Sequence, residues 1–344
     1  MLLRSISLLL LLFICWVGNL TAGQAYSFAL PTPNRDILSH AEYTNYFVPT
    51  AVGTWRSGTF GCVRSQGRQF HEGIDIRSKT FDKRGEAADP ITAVADGIVV
   101  YINNKSWESS FGRYVVLKHN IDGIELYSLY AHLASIDESL KKGMKISSGT
   151  KLGIMGRSDN TRSGIPKSRA HLHLELGLYM TPHFISWFKA KYPSGRNVHG
   201  DFMGWNLSGL DPWKIYYEQW TSKEFNLAQF IRNETEMCRV LIHKSDFPFA
   251  ERYPLLIKNP KNISPDKIAG WEISFNFSGV PILCIPQTAS AFTGNNKPYT
   301  LLAVNAQEAR QNPAKKYLKE SNQKWDITKT FIDYLDMLTW QPKP

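Results

Sequence analysis

Cysteine is scarce in this chain: four residues in 344, one of which, Cys15, lies in an apolar run near the N-terminus. The others are Cys62, Cys238 and Cys284. In an oxidising compartment Cys238 and Cys284 are the pair whose apolar, strand-like settings suit a disulfide, leaving Cys62 over, although spacing does not decide it. After the first apolar run no stretch is long enough to cross a bilayer. No basic run is interleaved with aromatics, so nucleic acid is not an expected partner. Internal repeats and low-complexity segments are also missing. A disordered chain is excluded by 43% hydrophobic residues, 10 Trp and 15 Tyr.

The N-terminus is laid out for export. Met1 to Arg4 carries one positive charge, Ser5 to Val17 is almost uninterruptedly apolar, and Gly23-Gln24-Ala25 precedes Tyr26 as a cleavage signal. Residues 1–25 therefore read as a secretory signal peptide, too short for a span, with no stable membrane span expected after cleavage. Cys15 follows Leu12-Phe13-Ile14 and lacks the small residue that a lipoprotein cleavage site needs. The expected location is the periplasm or the extracellular cell wall. A net charge of +10 suits anionic partners such as cell-wall polymers, and solubility explains it nearly as well.

The length suggests two domains. Residues 26–60 carry turn formers and little periodicity, and read as a lead-in lying against the first domain. Over 61–213 short β-branched and aromatic runs follow one another, bounded by Gly, Asn or Asp, with Asp122-Gly123 as a hairpin signal. The pattern predicts a mainly β, antiparallel domain, with one short helix over 181–193. Residues 214–344 read as a smaller α+β domain of unknown role. There Glu224 to Arg232 reads as helix, Cys238 to His243 as strand, and Trp271 to Ile285 as a strand pair turning at Ser278-Gly279. Leu301 to Leu318, broken at Pro313, and Asp326 to Trp340 read as helical, the last with Ile327, Phe331, Leu335 and Leu338 on one face.

Three elements carry chemistry. Ala170 to Tyr179 alternates strictly, which puts Leu172, Leu174, Leu176 and Leu178 on one strand face and His171, His173, Glu175 and Tyr179 on the other. Phe70-His71-Glu72-Gly73-Ile74-Asp75 offers a His and an Asp four apart. His71, Asp75 and one of the His171/His173 pair make three protein donors, the open-site pattern of catalytic zinc. The residues alone do not say which histidine of the pair binds. Tyr130-Ala131-His132-Leu133 adds His132 as an imidazole suited to moving a proton.

In order, these elements resemble the lysostaphin/LytM-type zinc metallopeptidases, which cleave peptide bonds in bacterial cell-wall peptidoglycan. The supporting turns match too: Ala93 to Val99, Gly112 to Val115, and Lys151 to Gly156. The resemblance covers about 60–212. It implies an antiparallel β-sheet peptidase domain with an open groove, a Zn2+ cofactor on His71, Asp75 and His173, and His132 with His171 as the catalytic pair. Peptidoglycan peptides are the implied partner, and activity is expected to be lost on chelation and depressed at acid pH.

His71-Glu72 does not begin a helical zincin motif, because position 75 is Asp and Gly73 disfavours a helix. Glu175 suits a support of the site and equally a solvent-facing strand position. His119, His183, His199 and His243 have no motif around them and read as structural. The polar insert from Arg77 to Asp89 reads either as a border of the groove or, more simply, as a solvated loop. The expected function is an exported zinc endopeptidase of peptidoglycan. Alternatives are a secreted protease acting on proteins, and a non-cleaving cell-wall-binding or amidase-regulating module. Residues 26–60 or 214–344 would then occlude the site, bind the wall or engage a regulatory partner.

Overall fold

The structure is a computed structural model that describes residues 27–39 and 43–342. The expected signal peptide lies outside the described residues. Twelve strands occupy the first region: β1 (Gly61–Arg64), β2 (Gln69–His71), β3 (Ile74–Arg77), β4 (Pro90–Thr92), β5 (Gly97–Asn103), β6 (Arg113–Ile121), β7 (Ile124–Leu133), β8 (Ser135–Ile136), β9 (Lys145–Ile146), β10 (Lys151–Ile154), β11 (His171–Tyr179) and β12 (Leu207–Leu210). A seven-stranded sheet runs β12-β11-β7-β6-β5-β9, with β3 also pairing with β11. Every pairing is antiparallel, as the short alternating runs predict. The hairpin at Asp122-Gly123 forms, with φ of 52° and 81° at the two turn residues, the conformation for which Asp-Gly is favoured.

Strand β11 is central and buried throughout. Its leucines, Leu172, Leu174, Leu176 and Leu178, enter the main core with Ile74, Ile76, Tyr130 and Leu133. The opposite face carries a smaller cluster that includes Tyr114, Val116, Leu129 and Ala131. That second face, with Phe111 packed against it, holds the histidines.

The lead-in lies against the sheet. Phe47 bridges to Ile76, Val48 N–H donates to Asp75 O at 2.9 Å, and Ala29 N–H donates to Val94 O. The polar insert is anchored rather than free. Asp89 accepts the Lys79 and Thr80 N–H groups, and Glu86 pairs with Arg157 at 2.8 Å and Lys167 at 3.1 Å.

Beyond the helix Pro212–Thr221, four strands form an antiparallel sheet: β13 (Cys238–Ile242), β14 (Gly270–Phe275), β15 (Pro281–Gln287) and β16 (Tyr299–Val304), in the order β15-β14-β13-β16. The main core runs continuously from the first sheet into this one. Tyr253 Oη accepts the Tyr179 N–H at 2.8 Å, and Ser278 Oγ donates to Gly209 O at 2.9 Å.

Two expectations fail in this region. Leu301 to Leu318 is not helical throughout: Tyr299–Val304 pairs with β13, and helix begins only after Asn305, whose side chain accepts the Glu308 N–H. The cap places the boundary where apolar periodicity could not. Cys238 and Cys284 do not pair, and all three described cysteines are free. They lie on β13 and β15, with β14 between them. Two strand spacings amount to about 9.5 Å, beyond the reach of a disulfide. Among the described residues no helix is long and apolar enough to cross a membrane.

Candidate metal and catalytic centre

His71 ends β2, Asp75 lies in β3 and His173 in β11. The register sets Asp75 directly opposite His173. Between them in sequence, Gly73 passes so close to β11 that a Cβ there would lie 2.2 Å from Leu174 O. Only glycine fits, which is why the link between β2 and β3 has no side chain at this point.

The three donor atoms face one another. His71 Nε2 is 3.1 Å from Asp75 Oδ1 and 3.1 Å from His173 Nδ1, and His173 Nδ1 is 3.0 Å from Asp75 Oδ1. Donors of one tetrahedral zinc, each about 2.0–2.1 Å from the ion, stand roughly 3.3 Å apart. Two nitrogens and one carboxylate oxygen at this spacing are a donor set that fits zinc.

Backbone and side-chain partners fix the tautomers. A carbonyl can only accept, so the ring nitrogen facing it carries the proton. His71 Nδ1–H donates to Thr59 O at 2.7 Å, which turns the Nε2 lone pair toward the site. His173 is held the other way round: Nε2–H donates to Glu175 Oε1 at 2.9 Å, leaving Nδ1 facing Asp75. Glu175 is buried at 3% exposure, so the solvent-facing reading of this residue is excluded.

His132 and His171 stand beside the donor set. Their rings are 4.7 Å apart, and His171 Nε2 is 3.5 Å from Asp75 Oδ1. His171 Nδ1–H donates to Arg169 O at 2.7 Å, and His132 Nδ1–H to Ser158 O at 2.9 Å. Each ring's Nδ1 is thus taken, which leaves Nε2 as its basic atom.

The placement of His132 is not what strand alternation gives. Ala131 lies opposite His173 on the site face, so the next residue should point into the leucine core. Instead β7 bulges against β6: Arg113 pairs with Leu133, but Val115 pairs with Tyr130. His132 takes φ of 63° in this bulge, which turns its ring back to the site and lets Leu133 fill the core.

Burial and charge set the protonation states. Burial, followed by the neighbouring rings of His171 and His173, holds the His132 pKa well below the usual imidazole range. Burial also lowers His71 and His171. His173 moves the opposite way: burial disfavours its charged form, but the hydrogen bonds its ring donates to Asp75 and Glu175 push it up to about 9. At Asp75 burial works against ionisation and is outweighed by the facing imidazoles, leaving the carboxyl well below its ordinary pKa.

The sequence reading overlooked Arg64. Its Nη2 lies 2.5 Å from Asp75 Oδ2 and 2.9 Å from His71 Nε2. It holds the outer carboxylate oxygen, while Oδ1 faces the other donors. Nothing in the sequence around β1 marks it, because only the pairing of β1 with β2 brings it to the site. His199, set aside as structural, has Nδ1 2.8 Å from Tyr114 Oη, and its ring packs edge-on to Phe111 at 5.5 Å, while Phe111 stacks on His173 at 5.9 Å. His119 is buried away from the site, between Asp96 O and Ser128 Oγ.

Residues 69–182 match the family model described as peptidase family M23. The chain is 31% identical over 109 residues to the peptidoglycan DD-endopeptidase ShyA of Vibrio cholerae. That stretch is 32% of this chain and 22% of the relative, so the match spans about a fifth of the relative's length. Among solved structures, the catalytic domain of the antimicrobial peptidase lysostaphin from Staphylococcus simulans is similar at 17% identity and a TM-score of 0.25, covering 44% of this chain and 80% of that one. A zinc-containing peptidase from Vibrio cholerae is similar at 24% identity and a TM-score of 0.26, covering 39% and 36%. The similarity to peptidase family M23 is thus carried by residues 69–182 of this chain.

Proposed function

We propose that the protein is an exported zinc metalloendopeptidase that hydrolyses peptide bonds in bacterial peptidoglycan, within the stem peptide or the cross-bridge. The observation that carries this reading is the facing triad of His71 Nε2, Asp75 Oδ1 and His173 Nδ1, flanked by the rings of His132 and His171, each held by a carbonyl at Nδ1. The name of the ShyA relative supports the substrate class. The N-terminal layout of residues 1–25 supports export to the periplasm or cell wall.

His71, Asp75 and His173 would hold the zinc. When bound, such an ion polarises a substrate carbonyl and lowers the pKa of a nearby water toward neutrality. The neutral rings of His132 and His171 each present an unprotonated Nε2, able to take a proton from an attacking water. Once protonated, the same Nε2–H points at the developing oxyanion or at the leaving nitrogen, to which it returns the proton. Ser158 O and Arg169 O keep both rings aimed through the cycle, since each retains its Nδ1–H bond. Glu175 orients His173 from behind.

The test is release of soluble muropeptides from purified peptidoglycan, followed by mass spectrometry, with and without a chelator. Zinc-dependent release is expected, and the fragment masses name the bond. Silence from a chain that has bound zinc would overturn the reading in favour of a binding module.

A further inference from the structure

We propose that Lys315 anchors a carboxylate of the peptide substrate, in a subsite that residues 314–317 build beside the catalytic centre. The inference rests on the peptidase reading above. A cavity of about 780 Å³ lies between the two regions of the chain, lined by Phe70, Glu72 and Phe111 from the peptidase side and by Lys315, Tyr317 and Tyr334 from the other. It adjoins the site directly, because Phe111 stacks on His173 and Glu72 follows His71. Its volume falls in the range of small-ligand pockets.

The turn that carries Lys315 is rigid. Lys316 N–H donates to Pro313 O at 3.0 Å, Thr328 Oγ1 donates to Lys316 O at 2.6 Å, and Lys316 takes φ of 54°. Tyr317 is buried beneath, stacked on Phe331 at 4.7 Å. Lys315 is thereby directed over the Phe70 ring, with Nζ 4.1 Å from its centre. Its ion pair with Glu72 Oε1 is 3.7 Å long, beyond hydrogen-bond range, although the side chain is only 18% exposed. Burial lowers the pKa of this ammonium, against the opposing pull of Glu72 and Glu175. Asp333, the other acid lining the cavity, is already held by Lys191 at 2.6 Å and Lys329 at 3.0 Å. Arg68 and Lys316 also line the cavity, and they leave its net charge positive. A peptide's anionic groups are carboxylates, and one entering here gives Lys315 a charge-assisted hydrogen bond in a desolvated setting.

The experiment compares soluble substrate peptides in three forms: free acid, amidated at the C-terminus, and amidated at side-chain carboxylates. The native chain should favour the form that keeps the anchored carboxylate by about tenfold in kcat/KM, mainly through KM. Which amidation abolishes the preference names the carboxylate as terminal or side-chain. Lys315→Met should bring the ratio to about one, and Lys315→Arg should retain the preference. Equal rates for all three forms in the native chain, or a preference that survives Lys315→Met, would mean that Lys315 merely pairs with Glu72. Failure to cleave any peptide or peptidoglycan sinks the peptidase reading itself, and this inference with it.

Discussion

Asp75 and His173 face each other across the antiparallel pair of β3 and β11, with Oδ1 3.0 Å from Nδ1. Two strands far apart in sequence thus fix two of the three residues of the candidate metal site by backbone hydrogen bonding. The third donor, His71, is set by the glycine link at Gly73 and by its bond to Thr59 O. A site built on sheet register is preorganised, and binding a cation costs little rearrangement.

His132→Ala should retain zinc and lose turnover by about 10²–10⁴-fold, the usual contribution of a positioned acid–base group. Zinc content by elemental analysis beside the muropeptide assay checks this. Loss of the metal in that variant would give His132 a different role.

Glu175→Gln should weaken zinc binding by about 10–100-fold, because the partner of a ligand histidine sets its tautomer and basicity. Competition against a chromophoric chelator measures it. Unchanged affinity would reduce Glu175 to a packing residue.

Gly112→Ala should lower activity by tenfold or more with zinc content intact. Gly112 has φ of 58°, and a Cβ there would lie 2.2 Å from Ser158 O, the acceptor that aims His132. The new methyl must displace that carbonyl. Full activity in a folded Gly112→Ala protein would show that the Ser158 bond is dispensable.

Away from the site, Asp211 caps the helix Pro212–Thr221 by accepting the Trp213 and Lys214 N–H groups, and burial raises its pKa to about 6. The unfolded chain loses this proton near pH 4, so the folded state holds more protons between pH 4 and 6. Stability contributed at Asp211 is present below pH 4 and lost as pH rises through 6. Asp211→Asn keeps the cap without the charge. Its Tm should match the native value near pH 4 and exceed it above pH 6. A constant offset across that range would contradict the assignment.

Much of the first region was legible in the sequence because its candidate site residues sit on regular strands. Alternation over 170–179 separates the leucine face, which enters the main core, from the histidine face, and both faces are buried. In the second region, Trp271 to Ile285 gave a correct strand pair, since Ser278-Gly279 is an unambiguous turn. Leu301 to Leu318 did not, because a strand edge and a capped helix share one apolar run.

By itself the sequence determined the antiparallel β character of 61–213 and the face on which His171, His173 and Glu175 lie, through a two-residue period that any strand must obey. Only the tertiary structure decided the rest. The bulge in β7 turns His132 against that period, Arg64 reaches Asp75 through the pairing of β1 with β2, and Lys315 enters the cleft from more than two hundred residues away. These depend on register and packing between segments distant in sequence, and local periodicity carries no information about either.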